Sequence, residues 1–353
     1  MTHYEGGFEE AYPKIIGAIL CDGKKVTPRA GSSLGETLEL CPFDFSIPGN
    51  MPLCRLKSRK LALLFVFLEP LYLFTDQERT RIADALMTYA PNLKKLALNE
   101  DTGRFDGNYG DRIHLAGPLP LHGGGVSRSD YGLGDQMLRV YRLLAKDPHS
   151  RRAIVTIHNP VWDIVDGDSK DIPCTLSLHF MIREGVLDCY CTMRSNDVWY
   201  GTPHNVFMFT FLQRALASWL SVGVGTYHHR ANSFHLYTSM LDKAEKFVDD
   251  STANPKYWDL EDAPAIINYP YGCKSIFDTE TDANAVMRRE LMYRENQEMP
   301  ELYPLTGEYM TIMFDLLEGF WSRKRAKEGR DISGEIRHNK DTPSTNDLTA
   351  HTS

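Results

Sequence analysis

Cys174 stands in Asp171-Ile-Pro-Cys-Thr-Leu, just ahead of a β-type run, at the kind of strand edge where a thiol can face a cavity. By default a cysteine is a small buried hydrophobe; it becomes a nucleophile where nearby positive charge stabilises its thiolate. The chain offers such charge in Arg151-Arg152 and in Arg194, within Met193-Arg-Ser-Asn-Asp197. Arg29, Arg151, Arg152 and Arg194 occupy polar turns or strand ends, where exposed ion pairs are the ordinary use of arginine. Converging guanidinium forks would instead hold a phosphate. Cys189 and Cys191 share one strand face without such neighbours, which suits packing. A cysteine hydrolase would need a histidine beside Cys174, and nothing in the setting of His179, His229 or His235 orders one into a dyad.

The rest of the chain sets limits on this chemistry. It has 353 residues, 42% hydrophobic and 24% charged, the composition of an ordinary folded protein. The formal net charge of -8 argues against a general affinity for duplex nucleic acid or anionic lipid, so any anion site is local. Seven cysteines, an odd and scattered number without a Cys-x-x-Cys pair, read as free thiols with no structural zinc site. The longest apolar stretch, from Leu61 to Phe74, is broken by Glu69 and too short to span a bilayer. The first ten residues lack the features of a secretory signal, and the expectation is a cytoplasmic protein without metal.

Lys60–Phe74, Asp76–Ala90 and Asp135–Ala145 read as helices, and a further helix begins near Tyr309. Residues 153–157, 175–182 and 186–193 read as strands, the last two joined through Arg183-Glu-Gly185 as a hairpin. Asn205–Leu220 is apolar all round, as in a buried helix, and His229–Tyr237 alternates like a strand. Gly- and Pro-rich residues 117–134 form a loop insert, and the polar residues 337–353 read as a disordered tail. Helix and strand intermix without a linker, so residues 1–336 are expected to be one α/β (α+β) catalytic domain.

The run Ser150-Arg-Arg, Asn159-Pro, Pro173-Cys174, Phe180, Gly185, Leu187, Arg194-Ser195, Asp197, Gly201-x-Pro203-x-Asn205 and His235-Leu-Tyr237 resembles the thymidylate synthase family in order and nearly in spacing. The resemblance covers about residues 8–240 and implies a large mixed sheet covered by helices, with a homodimer formed through the sheet. It implies one-carbon transfer from 5,10-methylenetetrahydrofolate to C5 of a pyrimidine nucleoside monophosphate, by addition of a cysteine thiolate at C6 and general base help. Cys174 matches the nucleophile, with Arg194 beside it to lower its pKa and to bind phosphate. Arg29 and Ser195 match phosphate-site residues, and Arg151 and Arg152 a pair that reaches into the neighbouring subunit. Glu69 matches the glutamate that organises water and protons at the pyrimidine O4, a poor place for a mere surface charge in so apolar a run. Tyr109 matches the tyrosine tied to C5 proton removal, with Tyr131 a competitor. Asp197 matches a carboxylate that contacts the pterin, with Glu69 bordering the same folate site. His235 and Tyr237 match the pair that binds the sugar 3′-hydroxyl.

Asn205 matches the residue that reads the base. Its amide can accept from uracil N3–H and donate to O4, whereas the family's cytosine-specific members place an aspartate there; Asn is also a good helix N-cap. Other positions depart from the family pattern. The five tryptophans begin only at Trp162, so the tryptophans that shield the methylene intermediate are missing. Thr175, Met193, His158 and Asn232-Ser233 replace typical residues, and the tail lacks the apolar ending that closes over folate. Water reaching the exocyclic methylene would give a 5-hydroxymethyl product. The expected activity is therefore hydroxymethylation of dUMP or UMP. The alternatives are a methylating thymidylate synthase, then a dCMP or CMP hydroxymethylase; a non-catalytic nucleotide binder would be expected to have lost Cys174 or the arginines.

Overall fold

The computed structural model describes residues 1–27, 35–75, 82–91, 94, 98–101, 103–114, 135–163, 171–258, 274–295 and 308–327. Arg29, Tyr131, the insert at 117–134 and the tail at 337–353 lie outside the described residues.

The strands are β1 (Thr2–His3), β2 (Lys24–Val26), β3 (Thr37–Leu40), β4 (Phe43–Pro48), β5 (Leu98–Asn99), β6 (Arg104–Phe105), β7 (Ile154–Thr156), β8 (Thr175–Arg183), β9 (Val186–Asp197) and β10 (Gly223–Tyr237). An eight-stranded mixed sheet runs β1-β4-β10-β9-β8-β7, with β3 also on β10 and β2 on β3; β5 and β6 pair separately. The β8–β9 hairpin turns where the sequence places it. Glu184 and Gly185 both have positive φ, 51° and 78°, which suits the right-handed twist of the strands they join. Alternate residues of the central strands are buried: Leu178, Phe180 and Ile182 on β8, Leu187, Cys189, Cys191 and Met193 on β9, and Tyr227, His229 and Ala231 on β10. Cys189 and Cys191 are thus core residues.

β9 and β10 run parallel and need a crossover, which the helix Thr202–Leu220 supplies. Pro203 sits in its first turn, where a missing N–H costs nothing, and its sides are buried nearly all round. The apolar run after Lys60 divides: Leu63–Leu68 is an α-helix and Glu69–Phe74 a 3-10 helix, the change falling at Pro70, which cannot donate to the α ladder. Of the predicted 76–90 helix, Ile82–Tyr89 is helical and 76–81 lies outside the described residues. Among the helices that escape the sequence reading are Gly7–Asp22, Leu241–Ala253 and Ile276–Glu295. Gly7–Asp22 buries Phe8, Tyr12, Ile15, Ile16 and Ile19 at helical spacing despite Pro13. Ile276–Glu295 buries Thr279, Asp282 and Glu290 beside its apolar residues, so its apolar period is broken. Burial raises the Glu290 carboxyl pKa, but Arg294 at 3.2 Å and the Tyr89 hydroxyl at 3.1 Å meet its oxygens.

Candidate active site

Cys174 is the residue before β8, half-buried, and its carbonyl accepts the N–H of Arg194 from β9 at 2.8 Å. The β8–β9 register slips between Thr175 and Ser177, a local irregularity of the kind that re-aims side chains. The Arg194 guanidinium folds back over the segment leading to the cysteine. Its Nε donates to the Pro173 carbonyl at 3.0 Å and its Nη2 to the Ile172 carbonyl at 2.9 Å. Among the described residues Arg194 has no carboxylate partner, so its charge remains available beside the thiol. Burial nevertheless dominates: it pushes the Cys174 thiol above its ordinary pKa, Arg194 pulls the other way, and Asp171 and Asp197 add to the rise. The thiol is protonated at neutral pH while no nucleotide is bound.

Tyr109 approaches the same point. Its hydroxyl donates to Thr175 Oγ1 at 3.2 Å and accepts the Thr175 N–H at 3.3 Å, one residue from Cys174, and its ring stacks on Phe209. Burial, then the nearby Cys174, raises its phenol pKa. The short helix that carries it, Tyr109–His114, is anchored by Arg112, whose two terminal nitrogens donate to the two Asp163 oxygens at 2.7 and 2.8 Å. Both side chains are more than nine-tenths buried. Burial alone would raise the Asp163 carboxyl; Arg112 outweighs it and holds the carboxyl below its ordinary range.

Parallel pairing of β9 with β10 sets Ser195 opposite Ser233 and Asp197 opposite His235. Ser195 Oγ lies 3.4 Å from His235 Nδ1, and the Tyr237 ring meets the His235 ring edge-on. The Tyr237 phenol is raised by burial, then by Asp197 and Cys174, which places it within the field of both. Asp197 Oδ1 accepts the N–H groups of Trp199 and Tyr200 at 2.7 and 3.0 Å, holding the turn between β9 and the crossover helix. Its Oδ2 has no hydrogen-bond partner among the described residues and is the oxygen free to meet a ligand N–H.

Asn205 lies in the first turn of the crossover helix, half-buried, and its Oδ1 accepts from the Asn196 amide at 2.9 Å. It is not the N-cap, a position that Gly201 fills. On the adjoining residue, His204 Nδ1 lies 3.2 Å from Glu69 Oε2 without the alignment of a hydrogen bond. These two buried polar atoms therefore face each other with no other partner, and the His204 ring packs edge-on against Phe65. His204 and Asn196 were not singled out by the sequence; the only signal was their position beside Asn205 and Asp197. Arg151 and Arg152 are exposed ahead of β7, and neither guanidinium has a carboxylate partner among the described residues.

Four of the five tryptophans have core roles. Trp199 lies under the Arg59 guanidinium, 4.0 Å from its ring centroid, and its carbonyl accepts from Arg59. Trp219 donates to Thr279 and Trp321 to Tyr89, and Trp258 is buried beneath Lys57. Among the described residues one cluster has metal-ligating side chains close together: His114, Asp135 and Glu280. Asp135 already caps the Gln136–Lys146 helix through Leu138 N–H and holds His114 Nδ1 at 2.7 Å. Burial would lower the His114 pKa, but the Asp135 contact outweighs it and raises it, so these two side chains already serve each other.

Residues 10–272 match the family model described as thymidylate synthase. The chain is 30% identical over 247 residues to a deoxyuridylate hydroxymethyltransferase of Bacillus phage SP01, a match taking in 68% of this chain and 59% of that protein. It is also 30% identical over 155 residues to a thymidylate synthase of Bacillus licheniformis, 41% of this chain and 54% of that protein. The matched part thus spans a little over half the length of each relative. With the matched residues covering the sheet apart from β1, the crossover helix and the Cys174 strand edge, the chain belongs to the thymidylate synthase family.

Proposed function

We propose that this protein transfers a one-carbon unit to C5 of a uridine-type nucleoside monophosphate, dUMP or UMP, and releases the 5-hydroxymethyl nucleotide. One observation carries the reading: a strand-edge cysteine has across the strand pair an arginine without a carboxylate partner among the described residues, and a tyrosine hydroxyl one residue away. Cys174 Sγ adds to C6 of the ring, which makes C5 nucleophilic. Because the resting thiol is protonated, its proton must leave as the nucleotide binds, and Arg194 is the group that favours the thiolate. Arg194, Ser195 and Arg29 hold the phosphate, joined by Arg151 and Arg152 from a second copy in a homodimer formed through the sheet. His235 and Tyr237 hold the sugar, and Asn205 reads the uracil edge. Glu69, with His204 against it, orders water and protons at O4, and Tyr109 serves proton removal from C5.

5,10-Methylenetetrahydrofolate supplies the one-carbon unit as co-substrate. The uncommitted Asp197 Oδ2 suits a pterin N–H donor, with Glu69 on the border of the same site. After tetrahydrofolate departs, an exocyclic methylene on C5 is open either to hydride, giving a methyl group, or to water, giving hydroxymethyl, and either addition expels Cys174 Sγ from C6 and frees the nucleotide. The core placement of Trp199, Trp219, Trp258 and Trp321 supports access for water, as does the likeness to a protein named deoxyuridylate hydroxymethyltransferase. The likeness to a thymidylate synthase keeps methylation as the second reading.

The test is mass spectrometry of products after mixing the protein and methylenetetrahydrofolate with dUMP, UMP, dCMP and CMP in turn, while absorbance follows dihydrofolate. A uridine nucleotide heavier by CH2O without dihydrofolate is expected. A product heavier by CH2 with dihydrofolate would make it a methylating enzyme, and turnover of cytidine nucleotides alone would overturn the base assignment.

A further inference from the structure

An asparagine amide has two ends of nearly equal size and opposite hydrogen-bonding character. With its oxygen toward ring N3, Asn205 suits uracil; turned over, it would donate to N3 and accept from the 4-amino group of cytosine. Selectivity for uracil therefore depends on what fixes the amide from behind.

A line of buried polar side chains does this. Asn205 Oδ1 accepts from Asn196 Nδ2 at 2.9 Å. Asn196 Oδ1 lies 2.6 Å from Thr202 Oγ1, a distance suited to O–H···O, and 3.0 Å from His229 Nε2. His229 Nδ1 lies 2.9 Å from the Tyr227 hydroxyl. Asn196, Thr202, His229 and Tyr227 are all buried, at 2% exposure or less. The His229 ring stacks on Phe45 and meets Phe234 edge-on, and burial pushes its pKa down to about 3, so it is neutral and holds one proton. That proton belongs on Nε2, which faces an acceptor, leaving Nδ1 to accept from Tyr227. Every bond then points one way: Tyr227 to His229, His229 to Asn196, Asn196 to Asn205. Gly201 leaves the space for the last bond, since a Cβ there would lie 3.0 Å from Asn196 Nδ2 and 3.2 Å from Asn205 Oδ1.

We propose that Tyr227, His229 and Asn196 form a one-way hydrogen-bond relay that locks the Asn205 amide in the uracil-reading orientation, making Asn196 a positioning residue for uracil over cytosine. The inference rests on the reading of Asn205 as the base-recognising residue. Turning Asn205 over would set its NH2 against the NH2 of Asn196, two buried donors without an acceptor. The relay works on the amide's orientation and has no need to touch the nucleotide.

The experiment measures dissociation constants of the full-length protein for dUMP and dCMP, and for UMP and CMP, by calorimetry. The wild type is expected to favour the uracil nucleotide. Asn196→Ala is expected to lower that preference about tenfold, by weakening uracil binding while cytosine binding holds or improves, a change that simple loss of stability would not produce. A wild type without uracil preference would overturn the Asn205 reading and the relay together. A wild type that prefers uracil, with Asn196→Ala keeping the ratio within about twofold, overturns the relay alone. Should Asn196→Ala fail to fold, nitrogen-15 NMR of the wild type decides: a neutral Nε2–H tautomer at His229 supports the relay, and an Nδ1–H tautomer reverses its direction and refutes it.

Discussion

Histidine 229 makes a quantitative test of how the sheet core is built. Buried between Phe45 and Phe234, its ring carries a pKa of about 3 in the folded chain, against about 6.5 when unfolded. Between those values the unfolded chain binds a proton that the folded chain refuses, so stability falls as the pH drops from about 6.5 toward about 3. Integrating the difference in bound protons from pH 7 to pH 5 gives a loss of about 2 kcal/mol from this one ring. Other histidines also shift on folding: burial lowers His179 and His228, while at His114 the Asp135 contact outweighs burial and raises it, so the total pH dependence is not the test. The difference between wild type and His229→Gln is the test, because glutamine can keep a donor toward Asn196 and an acceptor toward Tyr227 yet cannot titrate. Urea unfolding at pH 7 and pH 5 should show the wild type losing about 2 kcal/mol more than the variant. Equal losses, within about 0.5 kcal/mol, would falsify the assignment of His229 as a buried neutral ring.

Four further substitutions address the site. Cys174→Ala should abolish turnover and leave nucleotide binding largely intact; near-normal turnover would remove Cys174 from the mechanism. In the resting protein, alkylation of Cys174 should show an inflection above that of an ordinary thiol, and Arg194→Leu should move it higher still; an unchanged inflection would mean that Arg194 does not act on the thiol. Arg112→Ala leaves the buried Asp163 carboxylate unpaired and should cost roughly 3–5 kcal/mol of stability in denaturant melts, whereas a loss under about 1 kcal/mol would show the pair to be inessential. His204→Phe preserves an aromatic against Phe65 and removes the nitrogen facing Glu69, so turnover should fall at least about tenfold with nucleotide affinity nearly unchanged. Unaltered turnover would assign that histidine to packing.

The sequence placed β8, β9, the second part of β10 and the crossover helix, because their burial alternates or is continuous and the turn at Glu184-Gly185 has local chemistry of its own, but it did not show β3, β4 or the first part of β10. Cys174, Arg194, Ser195, Asp197 and His235 fall at strand ends, and adjacency in the sheet brings them together. What the sequence could not convey is the balance of forces at the thiol: the arginine is there as expected, yet burial outweighs it. Nor could spacing bring Glu69 to His204, or Asn196 to His229, since the first contact exists only once two helices have packed and the second only once β9 and β10 have paired. The Ile276–Glu295 helix was hidden for a related reason: Glu290 is tolerated inside it because Arg294 and Tyr89 reach its carboxylate from within and across the packing.

A protonated resting thiol and a fixed amide have a joint consequence for the proposed reaction. If the nucleophile is generated only when a nucleotide supplies its phosphate to Arg194 and its ring to Asn205, then selection of the base comes before covalent addition and is made by rigid groups. The amide is held by residues that are themselves buried and satisfied, so binding a nucleotide need not spend energy on ordering it. The later choice between hydride and water depends on a different part of the protein, the surroundings of the exocyclic methylene. The four tryptophans whose side chains are described are committed in the core to Arg59, Thr279, Lys57 and Tyr89, and so cannot serve as a movable shield without dismantling it. Base selection and product identity are therefore separable: substitutions along the Asn196 relay should change which pyrimidine is accepted without changing whether a hydroxymethyl or a methyl group is formed.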